Sequence, residues 1–289
     1  MKLHKKVNWK KEFRLLPGYT ILTLWVLFTV IIVGWILAAS LSTTKEIFTG
    51  KVLKFATGLH FENYEKAWGA QNVSIFFGNS LGYAAFSTVI LVLVGAPAAY
   101  VLSRFHFIAN SFIQKNFAAA MGVPVSMIIL PLFGIVSALG LQNSNISIRF
   151  LLIFLYIGIN IPFTVIFLLT FFSNLPSSLE EAAAIDGASQ TKIFWKVMLP
   201  LAQPGIVTVS IFNFINIWNE YFVSLIFASS SEVRPVAVGL YSMIDSMKYI
   251  GDWAGMFAAV IIVFMPTFIL YVFLSNKIIE GVTGGAVKG

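Results

Sequence analysis

The chain has no cysteine among its 289 residues. This excludes disulfide bonds, thiolate nucleophiles and cysteine-ligated metal sites. Charged residues are also scarce, at 11% of the chain against about 25% in a typical soluble domain, whereas 58% of residues are hydrophobic. The three histidines, His4, His60 and His106, are scattered, so no histidine-based metal site is expected. The composition therefore excludes a soluble enzyme and indicates a chain solvated mostly by lipid.

Six long apolar stretches account for this composition. Each has about the 20 residues that a helix needs to cross a hydrocarbon core of ~30 Å, where lipid offers no partner to a free backbone amide. The first stretch resembles a signal peptide but is longer than the usual apolar region of about 7–15 residues, so we predict an uncleaved span. The predicted fold is an all-α membrane protein with six transmembrane helices, at Tyr19–Leu41, Ile75–Val101, Phe117–Leu139, Phe150–Phe172, Gly205–Ala228 and Trp253–Ser275.

Lysine and arginine predict the orientation of these spans. If the basic N-terminal tail is cytoplasmic, most of the basic residues fall in cytoplasmic segments, as the positive-inside rule requires. Both termini are then cytoplasmic: residues 1–18 form an N-terminal tail, 19–275 the transmembrane domain and 276–289 a C-terminal tail. The net charge of +7 is attributed to the flanks of the spans, so no nucleic-acid partner is expected.

A polar loop, residues 173–203, separates the fourth and fifth apolar stretches and is cytoplasmic in this orientation. Pro176 predicts the start of a helix of about nine residues, and Gly187 predicts its left-handed end. Two capping boxes, in which a hydroxyl and a carboxylate satisfy free amides reciprocally, support the same start: Ser177 with Glu180, and Ser178 with Glu181. A second helical piece is expected over Ser189–Met198, ended by Leu199 and Pro200.

The composition of the first loop helix predicts what it contacts. A helix of this length is marginally stable in water by itself, so it needs a partner surface. Helices that lie on lipid favour basic residues opposite large apolar ones, whereas this helix is acidic and rich in alanine. We therefore expect it to dock into a groove of another protein rather than to rest on lipid headgroups.

The loop also matches a known signature. Glu181-Ala182-Ala183, then Gly187 after three residues, then Val197-Met198-Leu199-Pro200 after nine more, resembles the EAA motif of ABC-importer permeases, with valine in place of the usual isoleucine. Further stretches along nearly the whole chain resemble the carbohydrate branch of that family, among them Phe77–Ser80, Ala99–Phe105, Val123–Pro124, Ile161–Thr164, Glu180–Ser189, Trp218–Tyr221 and Gly281–Gly289. The chain is similar to the smaller, six-span permease of maltose-type sugar importers.

The resemblance implies a type I importer permease that is one part of a larger assembly. It would form a heterodimer with a second, larger permease, carry two cytoplasmic ATPases and receive sugar from an extracytoplasmic binding protein. Carried over to matching positions, the ATPase-coupling residues are Glu180, Glu181, Ala182, Ala183, Asp186, Gly187, Leu199 and Pro200. Gly284, Gly285 and Lys288 of the tail would reach the ATPase.

The sequence itself agrees that ATP chemistry belongs to a partner. Gly50-Lys51 is followed by valine and lacks the upstream glycine of a phosphate-binding loop, so no Walker A motif is present. No cofactor is therefore expected on this chain, with ATP and magnesium bound by the ATPases, and no catalysis is expected here. The predicted location is a prokaryotic plasma (inner) membrane.

Polar residues interrupt the fifth apolar stretch, where amides and carboxylates are expensive and mark candidate functional sites. At 100° per residue, four of them fall within about 120° of one helix face. These four residues are Ser210, Asn213, Asn216 and Glu220. Together with the neighbouring Asn219, their side chains could exchange hydrogen bonds with sugar hydroxyls. Trp218 and Tyr221 could cover the sugar's C–H faces. The alternative is a stripe that joins this helix to a partner subunit through interhelical hydrogen bonds.

Two other functions fit the sequence less well. In a self-contained secondary transporter, Glu220 would carry a proton. The absence of a detectable repeat, and a docking loop that such a carrier does not need, argue against this function. A membrane enzyme is disfavoured because the chain has no cysteine, no evident histidine dyad and no metal-ligand cluster. The sequence thus predicts a membrane subunit of an ATP-driven sugar importer that works by alternating access.

Overall fold

The computed structural model describes the backbone of residues 9–69 and 71–284. Within these ranges every regular element is a helix, as expected for a chain whose backbone must satisfy itself in lipid. In chain order the α-helices are α1 (Trp9–Ser40), α2 (Thr44–Phe48), α3 (Glu62–Trp68), α4 (Val73–Arg104), α5 (Asn110–Ala120), α6 (Val125–Ala138), α7 (Asn145–Ser173), α8 (Ser178–Ile185), α9 (Gln190–Ile193), α10 (Leu199–Leu201), α11 (Gln203–Trp218), α12 (Phe222–Phe227), α13 (Val236–Ile250) and α14 (Trp253–Gly284). Short 3₁₀ turns lie at Val52–Lys54 and Ser231–Val233, and a π-helical turn spans Phe194–Met198.

The described helices support the prediction of six spans by length and composition. Four stretches are individually long and apolar enough to cross a membrane: Phe13–Ser40, Val73–Arg104, Asn145–Ser173 and Trp253–Ser275. Two helix pairs meet the same criteria together but are bent, α5 with α6 by 96° and Gln190–Leu201 with α11 by 73°. Six spans result if each bent pair crosses once. The first and last helices extend into the segments predicted as tails, from Trp9 and to Gly284.

The predicted third span, Phe117–Leu139, is bent rather than continuous. Its first helix ends at Ala120 and the second begins after Pro124, whose backbone is extended at φ −64° and ψ 130°. Proline disfavours the helical conformation in the residue before it, and Gly122 adds backbone freedom within the same break. The predicted span therefore consists of two helices, because the apolar pattern continues across a break that these two residues determine.

The predicted fifth span, Gly205–Ala228, is also not a single helix. α11 ends at Trp218, and α12 begins only at Phe222. Upstream, Leu199 and Pro200 do not end the second loop helix, contrary to prediction, because helical structure continues to Leu201. The π-helical turn explains this. The Leu199 amide donates to the Phe194 carbonyl, five residues earlier, so the hydrogen-bond register of the helix has already shifted before Pro200. The helix therefore tolerates the amide hydrogen that Pro200 lacks.

The chain forms two compact units, and the larger comprises the described residues of Asn72–Asp245 and Val263–Gly289. Its interior lies among α4, α7 and α11, where the fully buried side chains include Leu91, Leu152, Leu168 and Val209. α4 and α7 lie close together at Gly95, where an added Cβ would lie 2.8 Å from Thr164 Cγ2. Small residues that allow such approach are typical of packing between membrane helices.

The smaller unit comprises the described residues of Met1–Gln71 and Ser246–Ile262. The two segments are joined by side-chain contacts: Gln71 Nε2 donates to Asp252 Oδ2 at 2.9 Å, and the Trp35 ring packs edge-on against Phe257. The end of α1 is satisfied within the unit, because Asn63 Nδ2 donates to the carbonyls of Ser40 and Ser42, both at 2.9 Å. One asparagine thus replaces water at carbonyls that a helix end leaves unpaired.

Glu46 organises the turns between α1 and α3. Its carboxylate accepts the amide and hydroxyl of Thr43, at 2.9 and 3.0 Å, and the amide and hydroxyl of Thr57, at 3.1 and 3.0 Å. The hydrogen bond from the Thr43 amide, reinforced by the Thr57 and Thr43 hydroxyls, outweighs desolvation and lowers the pKa of Glu46 from 4.5 to about 2. Because the folded pKa is depressed, this contribution to stability is complete above the unfolded value of 4.5 and is lost as pH falls towards 2.

Glu46→Gln should remove this acid sensitivity. In the wild-type chain, hydrogen-exchange protection of residues 43–57 should decline between about pH 5 and about pH 2, as the carboxylate that holds four donors becomes protonated. The variant should be less protected at the upper pH and show a flat profile. Glu65→Gln, an exposed carboxylate in the same unit, serves as the control and should keep the wild-type decline. An unchanged profile in Glu46→Gln would contradict the assignment.

Candidate functional site

α8 is the predicted docking helix, and the structure places it on the surface. None of its eight residues is buried, and Ile185 at its end is 86% exposed. The predicted left-handed end is confirmed at Gly187, with φ +77°. The Gly187 amide donates to the Ala184 carbonyl, and the Ala188 amide to the Ala183 carbonyl, both at 3.0 Å. This pair of hydrogen bonds forms a Schellman motif, which satisfies the last carbonyls of the helix.

The start of α8 differs from the prediction. Ser177 has helical angles, φ −65° and ψ −27°, and its side chain forms no capping hydrogen bond, so the capping box with Glu180 is wrong. The carboxylate of Glu180 lies instead against Arg104, with Nε and Oε1 2.8 Å apart. A guanidinium is a stronger partner for a carboxylate than a backbone amide is, and the helical backbone of Ser177 is not the extended conformation that capping needs.

Arg104 is the last residue of α4 and reaches both sides of the turn that leads into α8. Besides its ion pair with Glu180, its Nη2 donates to the Leu175 carbonyl at 2.6 Å. The two charged side chains are 14% and 19% exposed, so the pair is largely shielded from water. Arg104 lies within the stretch that carries the family resemblance, but its partner could not be read from sequence spacing.

An aromatic cluster lies between the loop and the transmembrane helices. The Tyr100 ring of α4 is 5.7 Å from that of Phe172 on α7 and 5.1 Å from that of Phe194 in the π-helical turn. Met198 is fully buried in the same cluster, and Ala183 of α8 packs against it from outside. The following Leu199 is half-buried and Pro200 is exposed. The loop therefore rests on the ends of α4 and α7.

The exposed face of α8 and its C-terminal cap carry three of the eight residues predicted to couple to a partner. Glu181, Ala182 and Asp186 are exposed, together with Ala184 and Ile185. Glu180 and Ala183, in contrast, turn towards the chain's own Arg104 and aromatic cluster. The predicted coupling residues are thus divided between an outward surface and an inward attachment.

The predicted stripe of the fifth span is divided between different environments. Asn213 is fully buried, and its Nδ2 donates to Thr164 Oγ1 of α7 at 2.8 Å. Ser210 is half-buried and donates to the Ile206 carbonyl of its own helix at 2.7 Å. Asn216 and Asn219 are exposed. Asn213 therefore behaves as the interhelical hydrogen bond that the alternative interpretation expected, although within this chain rather than to a partner.

Glu220 lies beyond the end of α11, so it is not on that helix face as predicted. Its Oε1 accepts the Val223 amide at 2.6 Å, and its Oε2 accepts the amide and hydroxyl of Ser224 at 3.1 and 2.8 Å. Since the Ser224 hydroxyl donates to Glu220, the Tyr156 hydroxyl, 2.6 Å away, donates to Ser224. The carboxylate caps the first turn of α12, where a negative charge is favoured.

Sequence reasoning missed Tyr156 and Ser224 as partners of Glu220. Both side chains are almost fully buried, at 1% and 0% exposure. They belong to two helices, and helical periodicity within either one gives no signal for a contact between them. Of the tail residues predicted to reach a partner, Gly284 is the last residue of α14, and Gly285 and Lys288 lie outside the described residues.

Comparison with known proteins was made on sequence and on fold. Residues 91–280 match the family described as "Binding-protein-dependent transport system inner membrane component". The chain is 32% identical over 271 residues to the diacetylchitobiose uptake system permease protein NgcG of Streptomyces coelicolor, covering 94% of this chain and 88% of that protein. It is 30% identical over 274 residues to the trehalose transport system permease protein SugB of Mycobacterium tuberculosis, covering 92% and 98%.

The fold has a counterpart among solved structures. A bacterial ABC transporter involved in the import of the acidic polysaccharide alginate contains a chain that superposes with a TM-score of 0.80, covering 96% of this chain and 99% of that one. At 23% sequence identity the similarity concerns the fold alone.

Proposed function

The chain belongs to the family of binding-protein-dependent transport system inner membrane components, and from this membership we propose that it is the permease subunit of an ATP-driven sugar importer. Membership makes it a multi-pass membrane transport subunit that works with a binding protein. The sugar cargo is supported by its relatives NgcG and SugB, whose names specify diacetylchitobiose and trehalose. An oligosaccharide delivered by an extracytoplasmic binding protein is therefore the proposed cargo.

The observation that carries the coupling part of the proposal is the exposed α8. A two-turn helix without buried residues gains little from its own chain, yet its end is fixed by a complete Schellman motif. Its outward residues are acidic or small, apart from two large apolar side chains, Leu179 and Ile185. This surface supports a helix that enters a groove on a partner protein, and the resemblance to the EAA motif supports an ATPase as that partner.

ATP chemistry is assigned to the partners. The chain has no phosphate-binding loop, so ATP and magnesium would be bound by two ATPase subunits, and no catalysis would occur on this chain. A second, larger permease would complete a heterodimer. Both termini and α8 would lie in the cytoplasm, as the distribution of basic residues predicts. Closure of the ATPase dimer would then move α8 and switch the spans between inward and outward access. Gly284, Gly285 and Lys288 would make a secondary ATPase contact.

The polar residues of the fifth span have different parts in this proposal. Asn216 and Asn219 are exposed. The Asn216 amide is the stronger candidate to line a sugar path, because Asn219 Nδ2 already donates to the Ile215 carbonyl of α11 at 2.9 Å. Ser210 is half-buried and remains a weaker candidate. Asn213 and Glu220 are already engaged within the chain, which argues against a sugar contact for the first and a proton-carrying role for the second. The proposal of a self-contained proton-coupled transporter is therefore not retained.

Purification from the native host in mild detergent tests the proposal. Mass analysis should find this chain with a second permease and two copies of an ATPase. The complex in proteoliposomes should hydrolyse ATP faster when binding protein loaded with a di- or oligosaccharide is added, because the loaded protein drives the cycle. Unloaded binding protein is the control. A chain that purifies alone, with uptake that survives ATP depletion, would overturn the proposal.

A further inference from the structure

α8 is attached to the larger unit through very few of its own side chains. Only Glu180 and Ala183 are partly buried, and the other six residues of the helix are exposed. The Ala183 side chain is a single methyl group that packs against the aromatic cluster. Among the described residues, the ion pair of the Glu180 carboxylate with Arg104 is therefore the polar side-chain contact that joins α8 to the helices below it.

Arg104 supplies that link from the end of α4, a helix that packs along α7 and α11. Its guanidinium contacts two groups at once: Nε forms an ion pair with Glu180 Oε1 at 2.8 Å, without hydrogen-bond geometry, and Nη2 donates to the Leu175 carbonyl at 2.6 Å. Leu175 precedes α8 and Glu180 lies in its first turn, so both the entry to the helix and the helix itself are held. A lysine has no such fork of donors and would hold one group or the other.

We infer that Arg104 is a positioning residue for energy coupling: its guanidinium makes α8 move together with α4, so that displacement of α8 by a partner reaches the membrane spans. The inference rests on the proposed function. The pair is shielded enough to resist screening by salt, and removing one partner leaves the other charge uncompensated. Loss of the pair would leave α8 able to move while α4 stays still.

Replacing either member should separate ATP hydrolysis from transport. In the reconstituted complex, Arg104→Gln and Glu180→Gln should lower the number of sugars imported per ATP hydrolysed by about tenfold, as expected for a coupled pair of charges. Arg104→Lys should recover part of the ratio. The double variant Arg104→Glu with Glu180→Arg, which exchanges the two charges, should import more sugar per ATP hydrolysed than either single charge reversal. Lys115→Gln, an exposed cation on α5, is the control and should keep the wild-type ratio.

A reversible cross-link between positions 104 and 180 tests the same inference. Transport by one preparation is compared before cross-linking, after it and after reduction. Because the chain has no cysteine, Arg104→Cys with Glu180→Cys introduces the only two thiols on it. A short bis-methanethiosulfonate reagent is used, which joins each thiol through a disulfide that a reductant cleaves, because a direct disulfide needs Cα atoms within about 7 Å. The free double variant should hydrolyse ATP without transport, regain transport when cross-linked and lose it again on reduction. Wild-type complex treated with the reagent controls for reaction with partner chains.

The outcomes distinguish the inference from the proposed function. A wild-type ratio in Arg104→Gln, or transport that is blocked by the cross-link, would overturn the inference, since α8 and α4 would then move independently or need to separate. If the wild-type complex shows no sugar-stimulated ATP hydrolysis, the proposed function itself fails. Normal coupling in wild type, uncoupling in the variants and recovery on cross-linking would establish the inference.

Discussion

Gly187→Pro should abolish transport while the membrane spans remain folded. The glycine has φ +77°, whereas proline is fixed near −65°, and its ring would also remove the amide that bonds to the Ala184 carbonyl. Disruption of the Schellman motif should cost about 3 kcal/mol, equivalent to about a hundredfold in an equilibrium constant, and unwinds the last turn of the coupling helix. The measurement is sugar uptake into proteoliposomes that contain the assembled complex.

Two further substitutions at Gly187 make the test specific to the backbone. A Cβ at this position would meet no atom within 4 Å, so Gly187→Ala tests conformation without a steric clash. Alanine in the left-handed region costs about 1–2 kcal/mol, and asparagine adopts that region more readily. Uptake should therefore decrease in the order glycine, asparagine, alanine, proline. Full transport by an assembled Gly187→Pro complex would refute the coupling role of α8.

Glu220→Ala should have the next largest effect. Removal of the carboxylate leaves the amides of Val223 and Ser224 and the Ser224 hydroxyl without their acceptor in a span where water is scarce. Hydrogen bonds to a charged group contribute about 1.5–3 kcal/mol, so α12 should fray and uptake should fall by about tenfold to a hundredfold. Glu220→Gln retains one acceptor oxygen and should fall between alanine and wild type.

The energy source of the residual uptake separates a cap from a proton carrier. Uptake by Glu220→Gln should still require ATP, be insensitive to a protonophore and remain absent when only a proton gradient is imposed. Tyr156→Phe, which removes the donor to Ser224 but leaves the cap in place, is the matched control and should cost about 1 kcal/mol or less. Wild-type uptake driven by a proton gradient alone, and lost in Glu220→Gln, would restore the transporter hypothesis.

Local signals in the sequence predicted the six spans and the position of α8. A backbone in lipid satisfies its own polar groups by forming a helix, and a glycine such as Gly187 enters the left-handed conformation without a steric penalty. The sharp bend at Gly122–Pro124 and the break at Asn219–Tyr221 could not be predicted from hydropathy, which continues across both. A hydropathy pattern indicates whether a segment lies in lipid or in water. It does not indicate where the helix axis bends.

The site was predicted less completely than the fold, because its decisive contacts join distant segments. Glu180 has nearby serines that fit a capping box, yet it pairs with Arg104, more than seventy positions away, because a guanidinium is the stronger partner. Asn213 was expected on the same face as Asn216, but the approach of α7 buries the first and leaves the second exposed. Helical periodicity predicts which residues share one face of a helix. The packing of neighbouring helices determines which of those residues stay exposed and can bind a ligand.

The smaller unit has a consequence for the order in which the chain is made. Its first segment ends at Gln71 and its second begins at Ser246. The contacts of Gln71 with Asp252 and of Trp35 with Phe257 cannot form until the second segment leaves the ribosome. At about 5–20 residues per second, roughly ten to thirty-five seconds pass between the two. During that interval α1 is accommodated by lipid or by the insertion machinery. Truncation before residue 246 would leave it in that state permanently.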